Sequence, residues 1–263
     1  GSFATGGAVT VMLIINGWSV PTALLAAFAA GLVAGFVTGF LHTVLGIPDI
    51  LAGILSQIAL YSINLNIMGM ANQALSVDKY NLLVSLREVQ KSILVSVIFA
   101  FVIICILYWY FGTEQGCALR ATGCNPNMAK AQGINVDFMK ILALALSNGL
   151  VALAGGLITQ YQGFADINMG RGAIVIGLAA VIIGEVLGEA LLAKHLNFMG
   201  RLIFVVIGGI IYYIVVGIVL WLKMPTNDLK LFTAIIVAIF LAVPYLRAKS
   251  RNSFAKAAKK GAE

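Results

Sequence analysis

The sequence predicts an all-α, polytopic integral membrane protein, and three observations carry that prediction. Of 263 residues, 61% are hydrophobic and 10% charged, against about 45–50% and roughly 25% in a soluble domain. The mean hydropathy is +1.00. The apolar residues run in continuous stretches close to the ~20 that a spanning helix needs, not in the short alternating segments of an outer-membrane barrel. In lipid every backbone polar group must be satisfied internally, so continuous apolar runs read as helices. This composition excludes a soluble enzyme, a disordered tail and a nucleic-acid module.

Taken in order, Phe3–Asn16 is apolar but short. Pro21–Leu45 is long enough to span and carries Ala27, Gly31, Gly35 and Gly39 at every fourth position. Such a small-residue stripe lets helix backbones approach closely, within the chain or between subunits. Ile47–Met70 is apolar but interrupted by Gln57, Ser62, Asn64 and Asn66. Ser92–Phe111 is strongly apolar. A polar loop, 113–136, separates it from Phe138–Tyr161. Ala173–Ala193, with Gly184 and Gly188 repeating the small-residue spacing, follows. Leu202–Leu222 and Leu229–Leu246 close the set, for about eight membrane segments. Residues 1–263 thus read as a single transmembrane domain ending in a basic tail, 247–263.

Charge orients the domain. Lys and Arg number 17 against 10 Asp and Glu, for a net charge of +7. The excess gathers at segment ends and in the tail, at Arg247, Lys249, Arg251, Lys256, Lys259 and Lys260. The positive-inside rule places that tail in the cytoplasm. Counting back four crossings puts the 113–136 loop on the same side, with Arg120 and Lys130, and with Lys140 just beyond it. The turn Lys194–Arg201, with His195, falls there too. The outer set, Lys79, Arg87, Lys91, Arg171, Lys223 and Lys230, is smaller.

Little in the chain points to catalysis. It holds no G-x-x-x-x-G-K-[ST], H-E-x-x-H or C-x-x-C. Its two histidines, His42 and His195, lie near expected cytoplasmic ends, and no metal site is expected. Cys105, Cys117 and Cys124 make no even disulfide framework and read as small reduced hydrophobes.

The 113–136 loop is the most informative stretch. Asn125 is suited to cap a helix and Pro126 to its first turn. Met128 to Gln132 then supply about two turns, and Gly133 fits the left-handed stop. The expectation is a short helix lying across the membrane face between Gly123 and Gly133, either a docking device or an ordinary surface loop.

Further polar residues each admit two readings. Gln57, Tyr61 and Asn64 share a helix face at i, i+4 and i+7, and so line a solute path or bond between helices. Asn148 poses the same choice singly. Gln160, Tyr161, Gln162, Asp166 and Arg171 read as a solvated outer loop or a receptor-docking surface. Glu185 and Glu189 stand one turn apart, either facing a path or reaching the cytoplasmic interface near Lys194.

The pattern Arg120-Ala-Thr-Gly123-x-Asn125-Pro126-x-x-Ala129-x-x-x-Gly133-Ile134-Asn135 resembles the coupling loop of ABC importer permeases of the branched-chain amino acid, ribose and nucleoside type. Gly1-Ser2-Phe3-Ala4-x-Gly6-Gly7-Ala8 is similar to an early segment of that family, preceded there by at least one helix, so an N-terminal helix is expected upstream of Gly1. Leu51-Ala52-Gly53-Ile54, with Tyr61-Ser62-Ile63-Asn64-Leu65 and Ile67-Met68-Gly69, resembles the subgroup that works with lipoprotein receptors for aromatic amino acids. Many members carry Gly or Ala where Glu185 and Glu189 stand, and this chain departs from them there.

The resemblance implies a permease subunit of the bacterial cytoplasmic membrane, working as a homodimer with two ATPase subunits and an external binding protein. ATP and Mg would be bound by the ATPase partner and no cofactor by this chain. The resemblance also implies that Arg120, Gly123, Asn125, Pro126, Ala129 and Gly133 couple to the ATPase. An aromatic amino acid is the favoured solute; a branched-chain amino acid, nucleoside or sugar is the alternative. An ion-coupled secondary transporter, an exporter and an intramembrane enzyme are the rival classes. Only the first has a cue, Glu185 and Glu189.

Overall fold

The computed structural model describes residues 1–76, 79–80, 82–192, 198–221 and 238. The expected segment Leu229–Leu246 (residue 238 apart), the tail 247–263, Lys194 and His195 lie outside the described residues, as does the side chain of Glu189.

The helices are α1 (Ser2–Ile15), α2 (Val20–Thr43), α3 (Asp49–Met68), α4 (Val89–Phe111), α5 (Glu114–Cys124), α6 (Pro126–Ala131), α7 (Val136–Gln162), α8 (Ala173–Leu192) and α9 (Phe198–Trp221). Local chemistry sets their ends. Pro21 enters α2 behind extended Ser19, where its fixed φ costs nothing. Gly69 (φ 70°) stops α3 and Gly163 (φ 77°) stops α7, a left-handed geometry that glycine adopts without a Cβ clash.

Among the described residues, five helices are long and apolar enough to cross a membrane: α2, α3, Leu86–Phe111, α7 and Phe198–Ile218. The chain is therefore a multi-pass, all-α membrane protein. Phe3–Asn16 forms as α1, 14 residues long; at 1.5 Å per residue it covers ~21 Å, short of the ~30 Å hydrocarbon core. The helix expected at Ala173–Ala193 forms as α8, of which the apolar stretch Ile176–Gly188 is shorter than a span. Two three-residue strands were not expected. β1 (Asn72–Ala74) and β2 (Phe164–Asp166) pair antiparallel, Gln73 opposite Ala165. Pieces so short show no alternation for a sequence to reveal.

Residues 1–171 and 172–263 form two compact units. In the first, small residues build the core. Gly31, Gly35 and Gly39 of α2 lie directly on the α7 backbone at Asn148, Leu144 and Ile141. The expected stripe is thus an α2–α7 seam inside the chain, with Ala27 fully buried beside it. The α1–α7 contact is reciprocal: Gly6 lies on the backbone of Ala152, and Gly155 on that of Phe3. Lipid is as apolar as leucine, so close backbone approach and the dispersion it brings hold such helices together. Around α1, Ala8, Val11, Ile14, Met68, Leu75, Ala165 and Ile167 form the apolar core at the sheet end of the unit. In the second unit, Gly184 of α8 lies on the backbone of Phe204 of α9, and Ala179, Ile183 and Tyr212 are buried together.

Candidate functional site

The α5–α6 loop is built as a braced elbow. Thr113 Oγ1 accepts the amide of Gly116 (3.3 Å) and starts α5. Gly116 lies on the backbone of Tyr110 and Phe111, where any side chain would collide. Asn125 leaves α5 in an extended conformation, and its Oδ1 accepts the amide of Met128 (3.1 Å), capping α6 with Pro126 in the first turn. At the far end, Gly133 (φ 81°) donates to the Lys130 carbonyl (3.0 Å) and Ile134 to that of Ala129 (3.1 Å). Asn135 then caps α7 by accepting the Phe138 amide (3.1 Å).

The expected cap, first turn and stop are all present. The stretch before them, which reads as a turn, is instead a further helix, α5. α5 runs through Gly123 to Cys124, and an added methyl at Gly123 would meet open space. The break falls at Asn125, whose extended backbone and side-chain cap end one helix and begin the next. Ala129 is buried and anchors α6, while Met128 (62% exposed), Asn127 and Lys130 face outward. Arg120 is exposed on α5, with Nη2 3.8 Å from Cys117 Sγ.

Beside this elbow, one cluster ties three helix ends. His42 Nδ1, at the end of α2, lies 2.9 Å from both Asp49 Oδ1 and the Ile47 carbonyl. Both are acceptors, so Nδ1 carries the proton. His42 Nε2 lies 3.3 Å from Lys140 Nζ of α7, a donor, and acts as the acceptor. Sequence spacing gave no sign of this link, because His42 and Lys140 are 98 positions apart.

The polar residues of α3 are separated by their surroundings. The buried face runs through Ala52, Ser56, Asn64 and Met68. Asn64 is 1% exposed, whereas Tyr61 is 43% exposed and Gln57 is exposed. The shared face at i, i+4 and i+7 thus straddles the edge of the packed stripe. Asn148 is half-buried and engaged twice. Its Oδ1 accepts from Ser2 Oγ (2.6 Å) and its Nδ2 donates to the Leu144 carbonyl (2.8 Å), which fits the interhelical reading.

Gln160 is not at a solvated surface. It is fully buried, and its Oε1 accepts the amide of Leu83 (3.3 Å). Gly149, Ala152 and Gly156 precede it at helical spacing on the buried side of α7, a signal that could have placed it inside. Asp166 Oδ1 accepts the Asn168 amide (2.6 Å) in β2's turn, and Arg171 is exposed. Glu185 is exposed on α8. Among the described residues no three His, Cys, Asp or Glu side chains gather where a metal could be held.

Apolar spans with small-residue seams, and a braced elbow between two of them, define a multi-pass membrane protein. Residues 1–244 match the family described as branched-chain amino acid transport system / permease component, and the chain belongs to that family of transport subunits. It is 37% identical over 258 residues to a tyrosine transport system permease protein of Clostridioides difficile (strain R20291), covering 97% of this chain and 84% of that one. It is 32% identical over 246 residues to an uncharacterized protein of Rickettsia prowazekii (strain Madrid E), covering 92% of this chain and 85% of that one. No solved structure gives a significant match.

Proposed function

We propose that this permease is the membrane-spanning subunit of an ATP-driven importer whose solute is an amino acid, tyrosine first. The observation that carries the solute is the 37% identity, over 97% of the chain, to a protein named for tyrosine transport. In this reading two copies of the chain form the path. Two separate ATPase subunits bind ATP and Mg, and an extracytoplasmic binding protein delivers the solute. The α5–α6 elbow lies in the cytoplasm, as the basic tail suggests. Arg120, Gly123, Asn125, Pro126, Ala129 and Gly133 meet the ATPase, and Gln57, Tyr61 and Asn64 belong to the solute path, while Asn148 ties α7 to α1. Nucleotide and the loaded receptor then bias a two-state equilibrium between outward-open and inward-open forms.

The test is to purify the chain with its genomic neighbours and look for a co-purifying ATPase. ATP hydrolysis is then measured with the candidate binding protein and a panel of amino acids. Hydrolysis stimulated by the tyrosine-loaded receptor is the expected result. Stimulation by a branched-chain amino acid, a nucleoside or a sugar would replace the solute. A chain that purifies alone and moves solute down an ion gradient would overturn the importer reading and direct attention to Glu185 and Glu189.

A further inference from the structure

Three helix ends meet at His42. It lies in the last turn of α2, and the chain then turns through Ile47 to Asp49, where α3 begins. His42 Nδ1 donates to the Ile47 carbonyl and to Asp49 Oδ1, both at 2.9 Å. Its other ring nitrogen, Nε2, accepts from Lys140 Nζ of α7 at 3.3 Å. The His42 side chain is 20% exposed and that of Asp49 83%, so the imidazole is the sheltered member of the cluster.

Lys140 is the fifth residue of α7, and the elbow lies just before it with little slack between. Ile134 donates to the Ala129 carbonyl (3.1 Å), and Asn135 caps α7 on the Phe138 amide (3.1 Å). α6 and the first turns of α7 therefore move as one piece. Gly39 on the Ile141 backbone already seats α2 on α7. What the cluster adds is a hold on the turn into α3, the helix of Gln57, Tyr61 and Asn64. Lys140 governs that hold. A neutral imidazole has one N–H and one lone pair, so a donor at Nε2 obliges Nδ1 to carry the hydrogen.

We propose that His42 is a positioning residue that conveys displacement of the elbow to α3, and that protonating it disengages the two. The proposal deepens the importer reading and rests on it. A protonated ring offers N–H groups at both nitrogens and no lone pair to Lys140, and two cations then face each other. Of the helices packed on α2, α1 carries no charged side chain, α3 brings Asp49, and α7 brings Asp137 and Lys140. Asp49 still accepts from the protonated ring, so the turn into α3 stays held while the link to α7 opens. Asp137 is exposed, where water and salt screen it. Histidine changes charge between about pH 5 and 8, so acidification is the lever.

The experiment uses the complete transporter, reconstituted in proteoliposomes with its receptor, ATP and labelled tyrosine, across that pH range. Its readout is uptake per ATP hydrolysed. In the unsubstituted transporter this ratio is expected to fall about fivefold on acidification, the worth of one hydrogen bond. Lys140→Met and His42→Gln should be low at the alkaline end and flat with pH. Lys140→Arg, which keeps a donor and a charge, should restore the slope. Thermal midpoints should hold in all three, since the Gly39 contact with Ile141 is untouched. A ratio that changes by less than about twofold with pH overturns the proposal. So does a slope that survives in Lys140→Met or His42→Gln, or a Lys140→Arg profile as flat as that of Lys140→Met. Absence of ATP-driven uptake at every pH would instead bring down the importer reading, and this proposal with it.

Discussion

At the scale of single residues, the glycines of the α2–α7 seam carry the sharpest expectation. Gly35 lies on the backbone of Leu144 and Ala145, which cannot swing aside as a side chain can. Gly35→Ala should therefore lower the thermal midpoint, with an overpacking cost of about 1–3 kcal/mol. Gly53→Ala, whose added methyl meets nothing within 4 Å, should leave it in place. Melting curves of the two variants in one detergent check the contrast. Asn148 sets a second expectation at this scale. Asn148→Leu strands the Ser2 hydroxyl and should cost about 1 kcal/mol of stability. Its coupling to Ser2→Ala, read from a double-mutant cycle, should lie near the ~0.6 kcal/mol typical of such bonds in membranes.

At the scale of elements, the short helix α6 was legible, and the helix α5 before it and the packing around α1 were not. Asn125, Pro126 and Gly133 act through neighbours a few positions away, so their spacing alone specified a cap, a first turn and a stop. α5 itself reads as a turn in the sequence, because Gly116, Thr122 and Gly123 are poor helix formers and the stretch carries no apolar run. Apolar runs likewise located the long helices, since hydropathy is summed along the chain. The His42–Asp49–Lys140 cluster and the Leu83–Gln160 bond were invisible, as each joins residues set together only by tertiary packing. Asn64 and Gln57 parted company for a similar reason. Periodicity places residues on a face but does not say where the neighbouring helix ends.

The elbow also yields a functional expectation. Gly133→Val forces a β-branched residue into a left-handed conformation, at about 1–2 kcal/mol, and should distort the α6–α7 junction without unfolding the spans. In the assembled transporter, ATP hydrolysis should persist while solute uptake falls several-fold. Parallel assays of hydrolysis and uptake on one preparation decide this, and unchanged uptake would remove α6 from the coupling path.

At the scale of the whole molecule, the first unit is a frame of α1, α2 and α7 joined backbone to backbone, with α3 and the sheet end laid against it. Exposed Gln57 and Tyr61 stand on the outer side of that arrangement. If they face the path of the assembled importer, single cysteines at 57 and 61 should react with a water-soluble thiol reagent during turnover, in a background lacking Cys105, Cys117 and Cys124. Protection in every nucleotide state would assign them to lipid or to the second copy. Native mass spectrometry of the complex should find two copies of this chain for every two ATPase subunits.

The glycine seams also bear on how such a permease can diversify. Positions 6, 31, 35 and 155 touch neighbouring main chain, so almost any replacement is excluded, and no compensating change of a neighbour's side chain would make room. The residues free to vary are those on the margins of the frame. A lineage changing its cargo would then keep its skeleton letter for letter and rewrite only the amides and aromatics that line its edges.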